Sequence, residues 1–144
     1  MTRINVIPVE ELSDQHLIAE YRELPRVIKQ HIDISDAPDN YCLGKGHMKW
    51  ARAHWPFVAH RFFDLFREMN YRGFVTNFDP NKLYDDYCGS LPINIKEPYY
   101  TPKENDIKLN RNRLIEKYRM KPNWYRWTNR NKPIYMEVQN GRTM

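Results

Sequence analysis

Apolar residues recur at helical spacing in three stretches of this 144-residue chain, and no stretch alternates convincingly between apolar and polar residues. Long irregular segments join the three stretches, without an internal repeat or a low-complexity tract. A chain of this length fits one domain. The sequence therefore predicts an all-α fold, in which three main helices and long irregular connecting segments form one compact domain spanning residues 1–144.

The first stretch predicts a helix that begins at Ser13 or Asp14, both good N-cap residues, and runs to about His31. One side of this helix is apolar and consists of Leu17, Tyr21, Leu24 and Ile28; the opposite side consists of Gln15, Ala19, Arg22 and Arg26. Pro25 lacks an amide proton, so we expect it to kink the helix or to free the carbonyl of Tyr21.

The other two helices have recognisable ends. The second is predicted to begin near Trp55, with a proline in its first turn, and to stop at Gly73. The third is predicted to have Thr101 as its N-cap and Glu104 as the partner in a capping box, and to end before Pro122. Residues 30–50 and 74–100 are predicted to be loops, and residues 44–47 to form a structural turn.

Composition limits the classes of partner. The net charge is +5, and the isoelectric point is about 9.2. A basic chain rich in aromatic residues favours polyanionic partners, above all nucleic acid. The mean hydropathy of -0.85, without a long apolar run, excludes a membrane-spanning helix. We also expect no signal peptide, a cytosolic location, and no disulfide between Cys42 and Cys88.

The N-terminal segment carries the most specific pattern in the chain. Residues 1–26 read MTRINVIPVEELSDQHLIAEYRELPR, and further landmarks are LGKGH at 43–47, YRGF at 71–74, YTP at 100–102, NRNR at 110–113 and KPNWY at 121–125. This pattern resembles the phage-type pyrimidine-dimer DNA glycosylase family. The resemblance is nearly continuous over residues 1–27, patchy over residues 41–75, and returns over residues 99–127.

The resemblance implies a repair enzyme that excises cyclobutane pyrimidine dimers. It implies an N-terminal arm that reaches the active site, where the main-chain amine of Thr2 attacks the sugar, forms an imine and then cuts the strand by β-elimination. It implies Glu23 as the catalytic carboxylate, with no cofactor and no metal. The implied partner is double-stranded DNA containing pyrimidine dimers or abasic sites, with no membrane. We expect a monomer in the cytoplasm, the host cytoplasm if a phage encodes it.

Elementary chemistry suits these two residues. An α-amine has a pKa near 7.7, against about 10.4 for lysine, so roughly a sixth of it is free base at neutral pH. A carboxylate near C1′ would stabilise positive charge on the sugar and could take the C2′ proton. The alternatives are that Glu23 is a solvated residue paired with an arginine and that the N-terminus is disordered. The chemistry also requires removal of Met1.

The resemblance implies DNA contacts at Arg3, His16, Arg22, Arg26, Arg113, Lys117, Lys121, Trp124 and Tyr125. Arginines four residues apart can grip neighbouring phosphates, and a basic row on a helix gives salt-dependent affinity. The alternatives are a solvated polar surface for the cations and core packing for the aromatic residues. We expect neutralisation of Arg22 or Arg26 to weaken damaged-site binding more than neutralisation of Arg130 in the unmatched tail.

Two other functions remain open at the level of sequence. A non-catalytic DNA-binding protein would keep the basic helices without needing Thr2 and Glu23. A metal-dependent nuclease would use Asp85, Asp86 and a histidine. A metal site built from Cys42, His47, His54, His60 and Cys88 has no recognised ligand spacing. The segment after Arg26 is also shorter than in the best-known members of the family, which removes a basic helical extension.

Overall fold

Six α-helices form the regular structure of residues 4–93, 95 and 99–137, the part of the chain that the computed structural model describes. Their bounds are α1 Asp14–Glu23, α2 Pro25–Lys29, α3 His47–Ala53, α4 Trp55–Arg72, α5 Pro80–Tyr87 and α6 Glu104–Met120. Short 3₁₀ turns occur at Val9–Glu11, Cys88–Ser90 and Ile134–Glu137. No strand occurs among these residues, so the all-α prediction is confirmed. The three predicted main helices are present as α1, α4 and α6, and three shorter helices, α2, α3 and α5, accompany them.

The first predicted helix is divided at Pro25. Ser13 caps α1 by accepting a hydrogen bond from the His16 amide at 3.1 Å, as the sequence predicted. Pro25 then begins α2, where its missing amide proton costs nothing, and α2 ends at Lys29 rather than at His31. The four predicted apolar residues of this stretch are all buried, namely Leu17, Tyr21, Leu24 and Ile28.

Helix α4 is the central element and packs against α1, α2, α3 and α5. It has the predicted bounds, and Gly73 ends it in the left-handed conformation with φ of 87°. Val58, Phe62 and Leu65 fill its buried side. Charged residues share that side, because Arg61, Glu68 and Arg72 are also buried, which the apolar pattern did not predict.

Two helices lie in segments that were predicted to be loops. Helix α3 buries Trp50 and Ala51, but seven residues are too few to show a helical period. Helix α5 has a local signal that the prediction missed. Asp79 is its N-cap and accepts from the Asn81 amide at 3.0 Å, and Pro80 is its first residue. The turn at 44–47 is confirmed, with Gly46 as the N-cap of α3.

Helix α6 starts later than predicted. The Thr101 cap and the Glu104 capping box are wrong, because Lys103 is the N-cap and the helix starts at Glu104. The Asp106 carboxylate accepts from the Lys103 amide at 2.9 Å and also from the Tyr100 hydroxyl. Asp106, three residues after the N-cap, thus caps the start of the helix. Its end at Met120, before Pro122, is confirmed.

Candidate active site

The segment at residues 4–7 is buried although it lies close to the chain's N-terminus. The side chains of Ile4 and Ile7 have no exposed surface. The Ile4 amide donates to Nε2 of His47 at 2.8 Å, and the hydroxyl of Tyr41 donates to the Ile4 carbonyl at 2.7 Å. The Val6 amide donates to Oδ1 of Asn110 at 2.5 Å. We call residues 4–7 the arm.

A buried ion pair holds the middle of the arm. The guanidinium of Arg61, on α4, binds both carboxylate oxygens of Glu20, on α1. Asn5 donates from its side-chain amide to the same carboxylate at 2.9 Å, and Arg61 donates to the Ile7 carbonyl at 2.7 Å. The arm thus has its polar groups satisfied by side chains from several helices, whereas N-terminal residues are usually frayed.

A cavity of about 180 Å³ lies beside the arm. Its walls come from the arm, α1 and α6, and its lining residues are Asn5, His16, Ala19, Glu20, Glu23, Arg113, Leu114 and Lys117. The cavity therefore brings together four of the residues predicted from the sequence, His16, Glu23, Arg113 and Lys117. Thr2 and Arg3 lie outside the described residues.

Glu23 and Glu20 occupy this cavity in different ways. The Glu20 side chain is buried and bound to Arg61, whereas 39% of the Glu23 side chain is exposed. Glu23 lies 3.5 Å from the guanidinium of Arg26, which is itself half-exposed. Exposed ion pairs contribute about 1 kcal/mol or less, so this one is easily broken. Glu23 is therefore paired with an arginine, as expected for a solvated surface residue. It also lines the cavity, as expected for the catalytic carboxylate.

His16 is neutral in this cavity at physiological pH. Burial, together with the positive charges of Lys117 and Arg113, lowers the pKa of His16 to about 4. Its Nδ1 atom lies 2.8 Å from the hydroxyl oxygen of Ser13. Its ring stacks on Tyr125, with ring centres 4.9 Å apart and planes 8° apart. Tyr125 thereby lies next to the cavity, as one of the predicted aromatic contacts.

The aromatic segment at 124–127 is fixed to the start of α1. The side chain of Gln15 donates to the Trp124 carbonyl at 2.6 Å and accepts from the Arg126 amide at 3.2 Å. Trp124 keeps 54% of its surface exposed, with the ammonium of Lys121 at 5.6 Å from its ring centre. Core packing therefore does not account for Trp124, whereas Tyr125 is partly buried.

The remaining predicted cations lie outside the cavity. Arg22 on α1 and Arg26 on α2 are exposed, and Lys121 is the exposed C-cap of α6. Because the helix is interrupted at Leu24, Arg22 and Arg26 belong to two successive helices rather than to one.

Sequence reasoning missed Asn5, Glu20 and Arg61 as site residues. Glu20 had a signal, because it follows His16 by four residues and precedes Glu23 by three, so the three share one side of α1. Asn5 had none of its own. The pairing of Glu20 with Arg61 joins residues 41 positions apart, which spacing does not predict.

Neither a metal centre nor a membrane span emerges from the described part of the chain. Across residues 4–93, 95 and 99–137, no three His, Cys, Asp or Glu side chains are grouped as metal ligands, and no helix is long and apolar enough to cross a bilayer. Asp86 pairs with Lys82 at 3.1 Å. His47 and His54 are buried and hydrogen-bonded to main-chain groups.

Comparison with known families bears on this site. A family model described as pyrimidine dimer DNA glycosylase matches residues 1–82. The matched part includes the arm, both carboxylates of the cavity, and helices α1 to α4. Helix α6, with Arg113 and Lys117, lies beyond it.

Proposed function

Because this chain belongs to the pyrimidine dimer DNA glycosylase family, we propose that it excises cyclobutane pyrimidine dimers with the main-chain amine of Thr2 as nucleophile. DNA is the substrate that membership of this family implies. One observation carries the proposal further: Asn5 of the anchored arm and Glu23 line the same cavity. The nucleophile and the carboxylate that the reaction requires would then meet in one place.

The Thr2 amine is separated from the arm by two residues, which limits how far from the arm it can lie. Two residues of extended chain span at most about 7 Å, which sets an upper limit on the distance between the Thr2 nitrogen and the anchored Ile4 nitrogen. An α-amine has a pKa near 7.7, and the cations Arg113 and Lys117 in the cavity wall favour its neutral form. The amine therefore needs no further base to act as a nucleophile.

The proposed reaction has two stages. The amine nitrogen bonds to C1′ of the flipped nucleotide as the glycosidic bond breaks, and the base leaves with that bond's electron pair and takes a proton. Ring opening then gives a protonated imine. The Glu23 carboxylate stabilises the developing positive charge and takes the C2′ proton. The resulting electron pair expels the 3′ phosphate, and water finally hydrolyses the imine.

Cations and aromatic residues supply the proposed DNA contacts. Phosphates would be held by Arg3, Arg22, Arg26, Arg113, Lys117 and Lys121. The exposed ring of Trp124, with Tyr125 and His16 beside the cavity, suits stacking against bases near the lesion. We further propose that the protein acts as a monomer and also cleaves abasic sites in duplex DNA.

Borohydride trapping tests the proposal directly. Wild-type protein mixed with a dimer-containing duplex and borohydride should give a covalent adduct, because the imine is reduced to a stable amine. Mass spectrometry should locate the link on the Thr2 amine. The matched control is a protein with an N-terminal extension, whose Thr2 nitrogen is an amide and should give no adduct. An adduct on a lysine would contradict the assignment, and binding without any adduct would support a non-catalytic DNA-binding protein.

A further inference from the structure

The Gly-Lys-Gly-His motif at residues 44–47 forms a tight turn that has no part in the proposed reaction as described so far. Gly44 and Gly46 have φ of 74° and 91°, in the left-handed region that favours glycine. A side chain on Gly46 would also lie 3.1 Å from the ring of Pro38. This tight turn starts α3 and points His47 into the protein, where it is buried.

The hydrogen bonds of His47 define its protonation state. Nδ1 lies 2.7 Å from the carbonyl oxygen of Cys42, which can only accept, so Nδ1 carries the proton. Nε2 accepts from the Ile4 amide, which can only donate, so Nε2 carries none. The neutral ring with its proton on Nδ1 is thus the form that binds the arm.

Tyr41 and Asn110 complete this contact. The hydroxyl of Tyr41 donates to the Ile4 carbonyl and accepts from Nδ2 of Asn110 at 2.9 Å, while Oδ1 of Asn110 holds the Val6 amide. Both main-chain groups of Ile4 are therefore fixed by side chains from outside the arm. We call His47, Tyr41 and Asn110 the arm seat.

We propose that the arm seat is a positioning device for the reactive amine, with His47 and Tyr41 as positioning residues that fix the main chain at Ile4, two residues after Thr2. The inference rests on the proposed function of Thr2. Because His47 and Tyr41 are buried, they act through the arm and not through contact with DNA. Their loss should slow the chemical steps at saturating DNA and leave the affinity for damaged DNA unchanged.

Tyr41→Phe is the sharpest test, because the chain offers a matched control. The Tyr21 side chain is also buried, and its hydroxyl, at the edge of the core, makes two hydrogen bonds to main-chain groups of Phe78 at 2.6 and 2.8 Å. Tyr21→Phe removes the same atom without touching the arm. In single-turnover excision, Tyr41→Phe should be slower by about tenfold, the usual cost of a lost buried hydrogen bond, and Tyr21→Phe should match wild type. The dissociation constant for dimer-containing duplex should agree within about twofold among all three.

A pair of substitutions at His47 provides the second test. His47→Gln offers an oxygen near the position of Nε2, whereas His47→Leu offers no acceptor to the Ile4 amide. We expect the leucine variant to lose about tenfold to a hundredfold in the rate of borohydride trapping, and the glutamine variant to recover most of it. Hydrogen exchange at the Ile4 amide should become faster only in the leucine variant. Both variants are assayed well below their melting temperatures, so that global unfolding does not contribute.

The outcomes separate this inference from the proposed function. A wild-type protein that forms no adduct through Thr2 removes the reaction on which the inference rests. If wild type forms the adduct, but Tyr41→Phe excises dimers as fast as Tyr21→Phe, the arm seat has no positioning role. Equal losses in His47→Gln and His47→Leu that follow their melting temperatures would likewise make His47 a purely structural residue.

Discussion

At the scale of single residues, the two carboxylates of the cavity have separate tasks. Glu20 is buried and bound by Arg61 and Asn5, so its charge is already neutralised by a fixed partner. Glu23 is partly exposed and pairs with Arg26 through a surface contact of 3.5 Å. Of the two, Glu23 is the carboxylate that can respond to a charge developing on a bound sugar.

Glu23→Gln should separate binding from catalysis. The change keeps the size of the side chain and removes a negative charge next to DNA-facing cations, so binding to dimer-containing duplex should survive or strengthen. Base excision should fall by at least about 10² to 10⁴, the usual contribution of general acid–base catalysis. Single-turnover excision and equilibrium binding, measured on one preparation, check this. Glu104→Gln, at the exposed start of α6, is the control, and excision within a few-fold of wild type would assign the catalytic carboxylate elsewhere.

His16 gives the molecule a defined response to acid. The pKa of His16 is about 4 in the folded protein and 6.5 for an ordinary histidine, so between these values the unfolded chain binds the extra proton. The folded state therefore loses stability as pH falls from 6.5 to about 4, by at most about 3 kcal/mol. Replacing His16 with Gln should remove this part of the pH dependence of the free energy of unfolding, measured by denaturant titration at each pH.

Lys117→Gln tests the cause of that shift. With one of the two neighbouring cations gone, the pKa of His16 should rise towards 6.5 in an NMR titration. Lys108→Gln, an exposed lysine on the same helix, should leave the titration unchanged. An unaltered His16 pKa in Lys117→Gln would mean that Lys117 contributes nothing to the shift, which would leave burial and Arg113 as its causes.

At the scale of elements, sequence predicted what local contacts decide. Ser13 and Gly73 mark helix ends through their own caps, and α4 has a long enough apolar pattern to be placed correctly. Helix α3 is too short for its period to be visible. The start of α6 is capped by Asp106, three residues after Lys103, and the Tyr100 hydroxyl binds the same carboxylate. This signal is local but was missed, because the neighbouring Thr101 was predicted to be the N-cap.

The candidate site also has a part that local spacing predicts and a part that it does not. His16, Glu20 and Glu23 share a side of one helix, so their proximity follows from spacing. The arm does not, because its partners come from residues 15 to 104 positions away in sequence. A buried main chain held by side chains leaves no periodic pattern, and only the resemblance of residues 1–27 indicated that this segment matters.

The tail after the aromatic segment makes structural contacts that its sequence did not predict. Thr128 donates to the Asp14 carboxylate from its amide at 3.0 Å, and Arg72 binds Asp14 at 2.9 Å. Arg72 and Arg130 both bind the buried carboxylate of Glu68. This charge network ties residues 128–130 to α1 and α4.

At the scale of the whole molecule, several arginines lie inside the protein, where they cannot contact DNA. Arg52, Arg61 and Arg72 are buried, and their guanidinium groups bind carbonyls or carboxylates inside the protein. Arg130 is likewise bound to Glu68. Attraction to a polyanion must therefore come from the exposed cations, among which Arg22 and Arg26 lie next to the cavity wall on α1 and α2.

Salt dependence distinguishes specific phosphate contacts from a general positive charge. Each phosphate contact releases a counterion, so Arg22→Gln and Arg26→Gln should each weaken binding to damaged duplex and reduce the slope of log K against log salt by about 1. Arg130 is unsuitable for comparison, because its loss would disturb Glu68. The matched control is Lys82→Gln, since 74% of the Lys82 side chain is exposed and its partner Asp86 lies on the same helix, α5. Its slope should stay at the wild-type value. Equal reductions in all three variants would mean that DNA responds only to total charge, and that the arginines beside the cavity hold no particular phosphate.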